Sequence, residues 1–121
     1  MTRDRLRCGA SGEELAAAFL RARGYTIVTR NFRCGAGEID LIALDDRTLV
    51  FCEIRTRRST GQGSALESVT VAKQRQVVRV AGFYLARHHL HAHSTRFDVV
   101  GIELRWPTVT IAHVVDAFRA D

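Results

Sequence analysis

The stretch that most constrains the fold of this chain is EIDLIALDDRTLVFCEIRTR, residues 38–57. Two runs rich in apolar and β-branched residues, 38–44 and 49–55, flank residues 45–48, whose sequence DDRT is typical of a tight turn. Because strand-forming runs joined by a short turn pair in antiparallel fashion, we predict a β-hairpin here.

The register of this hairpin gathers charged side chains at one end of one face. A turn of even length opposes Asp40 to Glu53 and Glu38 to Arg55, and alternation along each strand places all four on the same face. The same face continues with Ile42, Leu44, Leu49 and Phe51, and the other carries Ile39, Leu41, Ala43, Val50, Cys52 and Ile54. A hairpin that is apolar on both faces is expected to be central in its sheet and covered on each side.

The two opposed acids need a compensating charge. Like charges directly opposite each other destabilise a sheet, and burial increases the cost. A divalent cation can compensate Asp40 and Glu53, because hard cations prefer carboxylate oxygens. A structural ion pair with Arg33, Arg55 or Arg57 can do so too, and the spacing leaves both interpretations open.

The composition is typical of one folded domain with an anionic partner. The chain has 121 residues, of which 46% are hydrophobic and one is proline, and its formal net charge is +5 at pH 7. A basic balance suits nucleic acid. No apolar run approaches the roughly 20 residues of a membrane span, and the start of the chain lacks a signal-peptide core. We therefore expect a cytoplasmic protein without a membrane partner, with residues 1–10 as a flexible basic arm and 11–121 as one domain.

Cysteines and histidines do not predict a metal site. The three cysteines show neither disulfide-framework nor zinc-site spacing. His88, His89, His91 and His93 cluster near a predicted helix end without a companion carboxylate or cysteine, which favours a role at the helix terminus.

The hydrophobic periodicity of the remaining chain predicts two helices and three further strands. A helix capped by Ser11 ends before Gly24, and a second, capped by Ser68 or Thr70, ends near Arg87. The predicted strands are residues 25–33, 96–104 and 109–113, and a short turn is expected over 114–119. The resulting order is α-β-β-β-α-β in a mixed sheet, with a final edge strand.

Several arginines are candidates for phosphate contacts, which supply most sequence-independent affinity for nucleic acid. They are Arg30, Arg33, Arg57, Arg58 and Arg75. Simple solubility is the competing explanation.

The motifs GEELAAAFL, RNFR, GEIDLIA, LVFCEIRTR, VAKQR and RFDVV follow one another from Gly12 onward. Together they resemble the bacterial YraN-like family of uncharacterised proteins, which is similar to the restriction-endonuclease-like PD-(D/E)xK fold and to archaeal Holliday junction resolvases. The resemblance implies an α/β fold with an α-β-β-β-α-β core, in which helices flank a central mixed sheet. The pattern of the residues independently predicts the same order.

The resemblance also implies a catalytic site in which Glu13, Asp40 and Glu53 gather around Mg²⁺ or Mn²⁺. A lysine two residues after the second acid completes the family motif, and this chain has Arg55 there. The function implied is a magnesium-dependent endonuclease acting on DNA, branched DNA included. A homodimer is a separate expectation for the assembly. A non-catalytic nucleic-acid-binding module, in which Arg55 pairs with the acids, is the alternative, and a scaffold for protein partners is a third. From the residues alone, Glu13 is also explained by the helix dipole.

Lys73 is the only lysine among 18 basic residues. In the first turn of the second helix a cation opposes the helix dipole, so local structure does not explain this residue. We predict that Lys73 points toward Asp40 and Glu53 and supplies the ammonium that Arg55 cannot mimic.

Overall fold

A computed structural model describes residues 9–58, 65–105 and 107–121. The elements in chain order are α1 (Gly9–Ala22), β1 (Thr26–Cys34), β2 (Gly37–Asp45), β3 (Thr48–Arg58), α2 (Val71–Arg87), β4 (Ser94–Arg105) and β5 (Thr108–Phe118). This order confirms the α/β class and the predicted α-β-β-β-α-β core.

The strands form one mixed sheet in the order β1-β2-β3-β4-β5. Neighbouring strands are antiparallel except β3 and β4, which are parallel. Helix α2 provides the crossover that parallel neighbours require. Residues 49–54 of β3, the central strand, are buried without interruption, so the predicted central hairpin is confirmed.

Each face of the sheet packs against one helix. On the α2 face the buried cluster includes Ile39, Ile42, Leu49, Phe51, Val77, Val80, Tyr84, Phe97 and Val99. On the α1 face it includes Ala16, Ala17, Leu20, Leu41, Ala43, Val50, Cys52, Ile54, Val100 and Ile102. Ile39 was predicted to lie on the same face of the sheet as Leu41. That prediction is wrong, because Ile39 packs on the α2 face and Leu41 on the α1 face. The alternation of β2 changes at Asp40, where Asn31 in the neighbouring β1 has a positive φ of 56°.

Three predictions concern where elements begin or end, and the structure confirms one of them. Thr70 caps α2 as predicted, because its side-chain oxygen accepts a hydrogen bond from the backbone nitrogen of Lys73 at 3.1 Å. Helix α1 begins at Gly9, so Ser11 lies within the helix and is not its cap. The predicted turn over 114–119 is also wrong. Strand β5 continues past a bulge to Phe118, whose ring stacks on Phe97 with centroids 5.3 Å apart.

Gly101 in β4 permits a close approach by the segment that leads into α2. A Cβ at this position would overlap the Cβ of Ala65. Gly101→Ala is therefore expected to lower the free energy of unfolding by roughly 1 to 3 kcal/mol, measured by urea denaturation. Gly82→Ala is the control, because a Cβ there meets nothing within 4 Å and an alanine favours the helix. Equal effects of the two substitutions would contradict this account.

Candidate active site

The acidic pair lies where β2 and β3 separate. Backbone pairing between these strands ends at Leu41 and Cys52. One residue further, Oδ2 of Asp40 accepts a hydrogen bond from the backbone nitrogen of Ile54 at 2.8 Å. The side chain of Asp40 thus replaces a main-chain acceptor, which fixes its carboxyl beside that of Glu53.

Glu53 carries a buried carboxyl that its own chain compensates only in part. Its side chain is 2% exposed, and its Oε1 has no hydrogen-bond partner within this part of the chain. Its Oε2 lies 3.7 Å from Nζ of Lys73. Burial, followed by the charge of Asp40, raises the pKa of Glu53 to about 8, although Lys73 acts in the opposite direction. Burial also raises the pKa of Asp40, so the pair retains a proton near neutral pH.

The ammonium of Lys73 is held from a second side by Gln76. Nζ of Lys73 donates a hydrogen bond to Oε1 of Gln76 at 3.2 Å, and Nε2 of Gln76 donates to the carbonyl of Ala36 at 3.2 Å. Gly37 has a φ of 141°, which residues other than glycine rarely adopt, and a Cβ there would also lie 2.6 Å from that Nε2. Sequence reasoning missed Gln76, although its spacing of three residues from Lys73 on a helix was available as a signal.

Arg55 does not neutralise the acids. Its Nε and Nη2 donate hydrogen bonds to Oγ and the carbonyl oxygen of Ser68, at 3.2 and 2.8 Å. Within residues 9–58, 65–105 and 107–121, no ion pair joins Arg55 to Asp40 or Glu53. Its charge makes only the smallest contribution to lowering the pKa of Glu53. Arg55 therefore ties β3 to the segment that precedes α2.

A cavity of about 430 Å³ opens beside Asp40. Its lining residues are Glu13, Asp40, Ile54, Arg55, Thr56, Arg57 and Ser68. Glu13 reaches the cavity because Gly12 lets α1 approach β3 closely, where a Cβ would overlap the side chain of Thr56. The described residues contain no group of three or more histidine, cysteine, aspartate or glutamate side chains arranged to hold a metal ion. Glu13 therefore lines the same cavity as Asp40, but Glu13, Asp40 and Glu53 do not form such a group.

Glu38 lies outside the acidic pair. It pairs with Arg33 across the β1–β2 turn, with Nε of Arg33 2.6 Å from its Oε2, so the predicted opposition of Glu38 and Arg55 is wrong. The physical reason is that the pairing of β2 with β3 ends at Leu41, whereas its pairing with β1 continues to Gly37.

The other arginines proposed for phosphate contacts are dispersed. Arg57 lines the cavity, and its Nη2 lies 3.3 Å from Oε1 of Glu103. Arg58, at the end of β3, is exposed. Arg30 on β1 and Arg75 on α2 are exposed on other parts of the surface.

A second buried acid, Asp98, was not singled out from the sequence. Burial alone would raise its pKa, but hydrogen bonds with His113 and Arg96 and from the backbone of Asp116 lower it. Nε2 of His113 lies 2.8 Å from one carboxyl oxygen, and Arg96 contacts both oxygens at 2.9 and 3.0 Å. Asp98 is thus fully compensated by its own chain, in contrast to Glu53. The spacing of Arg96 and Asp98 on one strand face was the only local signal.

The fold and this site define a small α/β protein with an acidic pair at the point where two central strands separate, in which Glu53 is buried and Asp40 is half-buried. The chain belongs to the uncharacterised protein family UPF0102, whose family model matches residues 12–102. This confirms the resemblance that its motifs indicated.

Relatives are similar over nearly the whole chain. A protein of Syntrophotalea carbinolica is 41% identical over 121 residues, which cover 100% of this chain and 98% of the relative. GSU0650 of Geobacter sulfurreducens is 44% identical over 112 residues, covering 92% and 88%. STH1475 of Symbiobacterium thermophilum is 52% identical over 97 residues, covering 80% and 82%. Among the described residues, no helix is long and apolar enough to cross a membrane.

Proposed function

We propose that this protein is a divalent-metal-dependent endonuclease that hydrolyses DNA. The observation that carries the proposal is the buried carboxyl of Glu53, whose Oε1 has no hydrogen-bond partner in the described part of the chain although Asp40 lies beside it. Lys73 compensates this pair only in part, and a bound cation would offset the remaining cost of the buried carboxyl. The α-β-β-β-α-β core with its mixed sheet supports a restriction-endonuclease-like assignment.

The donor set fits Mg²⁺ or Mn²⁺. Carboxylate oxygens are the ligands that these hard cations prefer, and Asp40 and Glu53 would hold the ion. Glu13, which lines the same cavity as Asp40, is the third candidate ligand. An ion bound there would polarise a phosphate oxygen and lower the pKa of an attacking water.

The remaining residues bind and orient the substrate. Lys73, held between Glu53 and Gln76, places a compact positive charge where a phosphate meets the acidic pair. Arg57 contributes charge at the wall of the cavity that contains Asp40. Arg55 cannot act as a base because arginine stays protonated, and its role is to hold the segment before α2 through Ser68.

A nucleic-acid-binding module that lacks the chemistry is the alternative. It requires Arg55 to pair with the acids, whereas the guanidinium of Arg55 bonds to Ser68. The contacts of Arg55 therefore favour the enzyme.

The test is cleavage of flap, junction and linear DNA in the presence of Mg²⁺ or Mn²⁺. We expect metal-dependent cleavage by the wild type and none by Asp40→Asn or Glu53→Gln. Cleavage that survives both substitutions, or no cleavage of any substrate, would contradict the proposal.

DNA binding in the absence of metal is expected to depend strongly on salt. With several phosphate contacts, the affinity should fall by orders of magnitude between about 50 and 200 mM salt, and fluorescence anisotropy measures this. Arg57→Gln and Arg58→Gln should each weaken binding, because both residues lie at the end of β3 nearest the site. Arg47→Gln, an exposed arginine at the far hairpin turn, should not. Binding that is insensitive to salt would argue against a phosphate-backbone partner.

A further inference from the structure

Helix α2 presents an outer face that carries positive charge and one large apolar ring. Residues 71–87 include no acid. Arg75, Arg79 and Phe83 follow at intervals of four residues, so they form one stripe along the helix, and all three are exposed. Phe83 is 55% exposed, which makes it one of the most exposed large hydrophobic residues in the described chain.

Among the described residues, one acid, Asp121, lines the same cavity as the two arginines of this stripe. Neither Arg75 nor Arg79 forms an ion pair within the described residues. The next arginine on the helix, Arg87, forms a cation–π contact, with its guanidinium 5.3 Å from the ring centroid of Phe32. Two cations without an ion pair in the described residues, beside an exposed ring, fit a polyanion that also offers flat apolar groups.

The surroundings of Phe83 leave its ring accessible. Gly82 precedes it in the middle of the helix, where glycine is less favourable than alanine by about 1 kcal/mol. A Cβ at Gly82 would meet nothing within 4 Å, so packing within this chain does not explain the glycine. Ala86, also exposed, adds only a methyl group. Nothing bulky at either position covers the ring.

We propose that the outer face of α2 binds an unpaired strand of nucleic acid, with a base stacked on Phe83 and phosphates on Arg79 and Arg75. A duplex buries the faces of its bases, so only an unpaired base can use an exposed ring. A second copy of this chain fits less well, because two such stripes would repel each other.

This inference rests on the proposed function, because only the proposed endonuclease activity makes the bound nucleic acid a substrate. Phe83 follows Lys73 by ten residues, or about 15 Å along the helix axis. Helix α2 therefore connects the acidic site, through Lys73, to the stacking surface. The substrate class that follows is DNA with a single-stranded segment next to the cleavage position.

The test is fluorescence anisotropy in EDTA with a labelled single-stranded oligonucleotide and with a duplex of the same sequence. Phe83→Ala should weaken single-strand binding by about fivefold or more and leave duplex binding unchanged, and Phe83→Trp should retain it. Arg79→Gln should weaken binding and reduce the salt slope by about one, whereas Phe83→Ala should leave the slope unchanged. Val28→Ala, at another exposed hydrophobic residue, is the matched control.

Equal affinity of Phe83→Ala and the wild type for single strands would overturn the inference. So would a change in oligomeric state of Phe83→Ala by light scattering without a change in binding, since that would assign the face to a protein partner. Because the assay uses no metal, it separates the two proposals. Binding that depends on Phe83 without any cleavage overturns only the endonuclease, and cleavage with binding that ignores Phe83 overturns only this inference.

Discussion

Replacing Glu53 with glutamine is expected to stabilise the protein above pH 8 while abolishing the metal-dependent activity that we propose. The pKa of Glu53 is raised from 4.5 to about 8, with burial as the main cause. Between these values the folded protein holds a proton that the unfolded chain has lost. Stability therefore falls as the pH rises through this window and stays low above it.

Glutamine removes the buried charge and keeps the shape of the side chain. The expected gain in free energy of unfolding at pH 9 is on the order of 3 to 5 kcal/mol, and the gain should vanish near pH 4. Urea denaturation at pH 4, 7 and 9 measures both.

Asp98→Asn is the matched control, because it removes the other fully buried acid. The pKa of Asp98 is lowered, since its hydrogen bonds outweigh its burial, so its charge stabilises the fold at neutral pH. Asp98→Asn should therefore destabilise the protein where Glu53→Gln stabilises it. A Glu53→Gln variant that is less stable than the wild type at pH 9 would show that the carboxylate is compensated within the chain.

Lys73→Arg is expected to lower the cleavage rate by about 100-fold or more while preserving the fold. The ammonium of Lys73 lies between Oε2 of Glu53 and Oε1 of Gln76, at 3.7 and 3.2 Å. A planar guanidinium is larger and has a different hydrogen-bonding geometry, so it cannot reproduce both contacts. Single-turnover cleavage assays measure the loss, and thermal denaturation checks the fold.

Arg55→Lys is the reciprocal variant and should keep or raise the activity. Arg55 contacts Ser68 and not the acids, so its replacement by lysine removes the bonds to Ser68 but no contact to Glu53. The lysine would stand two residues after the second acid, as in the PD-(D/E)xK motif that the sequence resembles. Wild-type activity in Lys73→Arg would mean that Lys73 has no role in the chemistry.

The hairpin was predictable because its determinants are local. An even-length turn between two apolar runs fixes the register, and the observed pairing of Asp45 with Thr48 leaves Asp46 and Arg47 as the two turn residues. The approach of Lys73 to Glu53 was predicted for another reason. A single lysine in an arginine-rich chain, placed where the helix dipole disfavours a cation, has no local explanation.

What the sequence did not reveal depends on non-local contacts. Ile39 packs on the other face from the one predicted because β2 pairs only with β1 in this region, where its pairing with β3 has ended. The compensation of Asp98 requires Arg96 and His113 to meet from two strands, and the contact between Gln76 and Ala36 joins a helix to a turn 40 residues earlier. No local pattern encodes such meetings, so the lack of a hydrogen-bond partner for Oε1 of Glu53 became visible only in the described part of the folded chain.

Calorimetric titration of Mn²⁺ into the metal-free protein tests the central claim, that Asp40 and Glu53 form a divalent-cation site. We predict binding by the wild type with release of a proton at pH 7, detected from heats in two buffers of different ionisation enthalpy, because the pair must deprotonate to bind metal. Asp40→Asn and Glu53→Gln should abolish that binding. Absence of binding by the wild type, or equal binding by these two variants, would contradict the account.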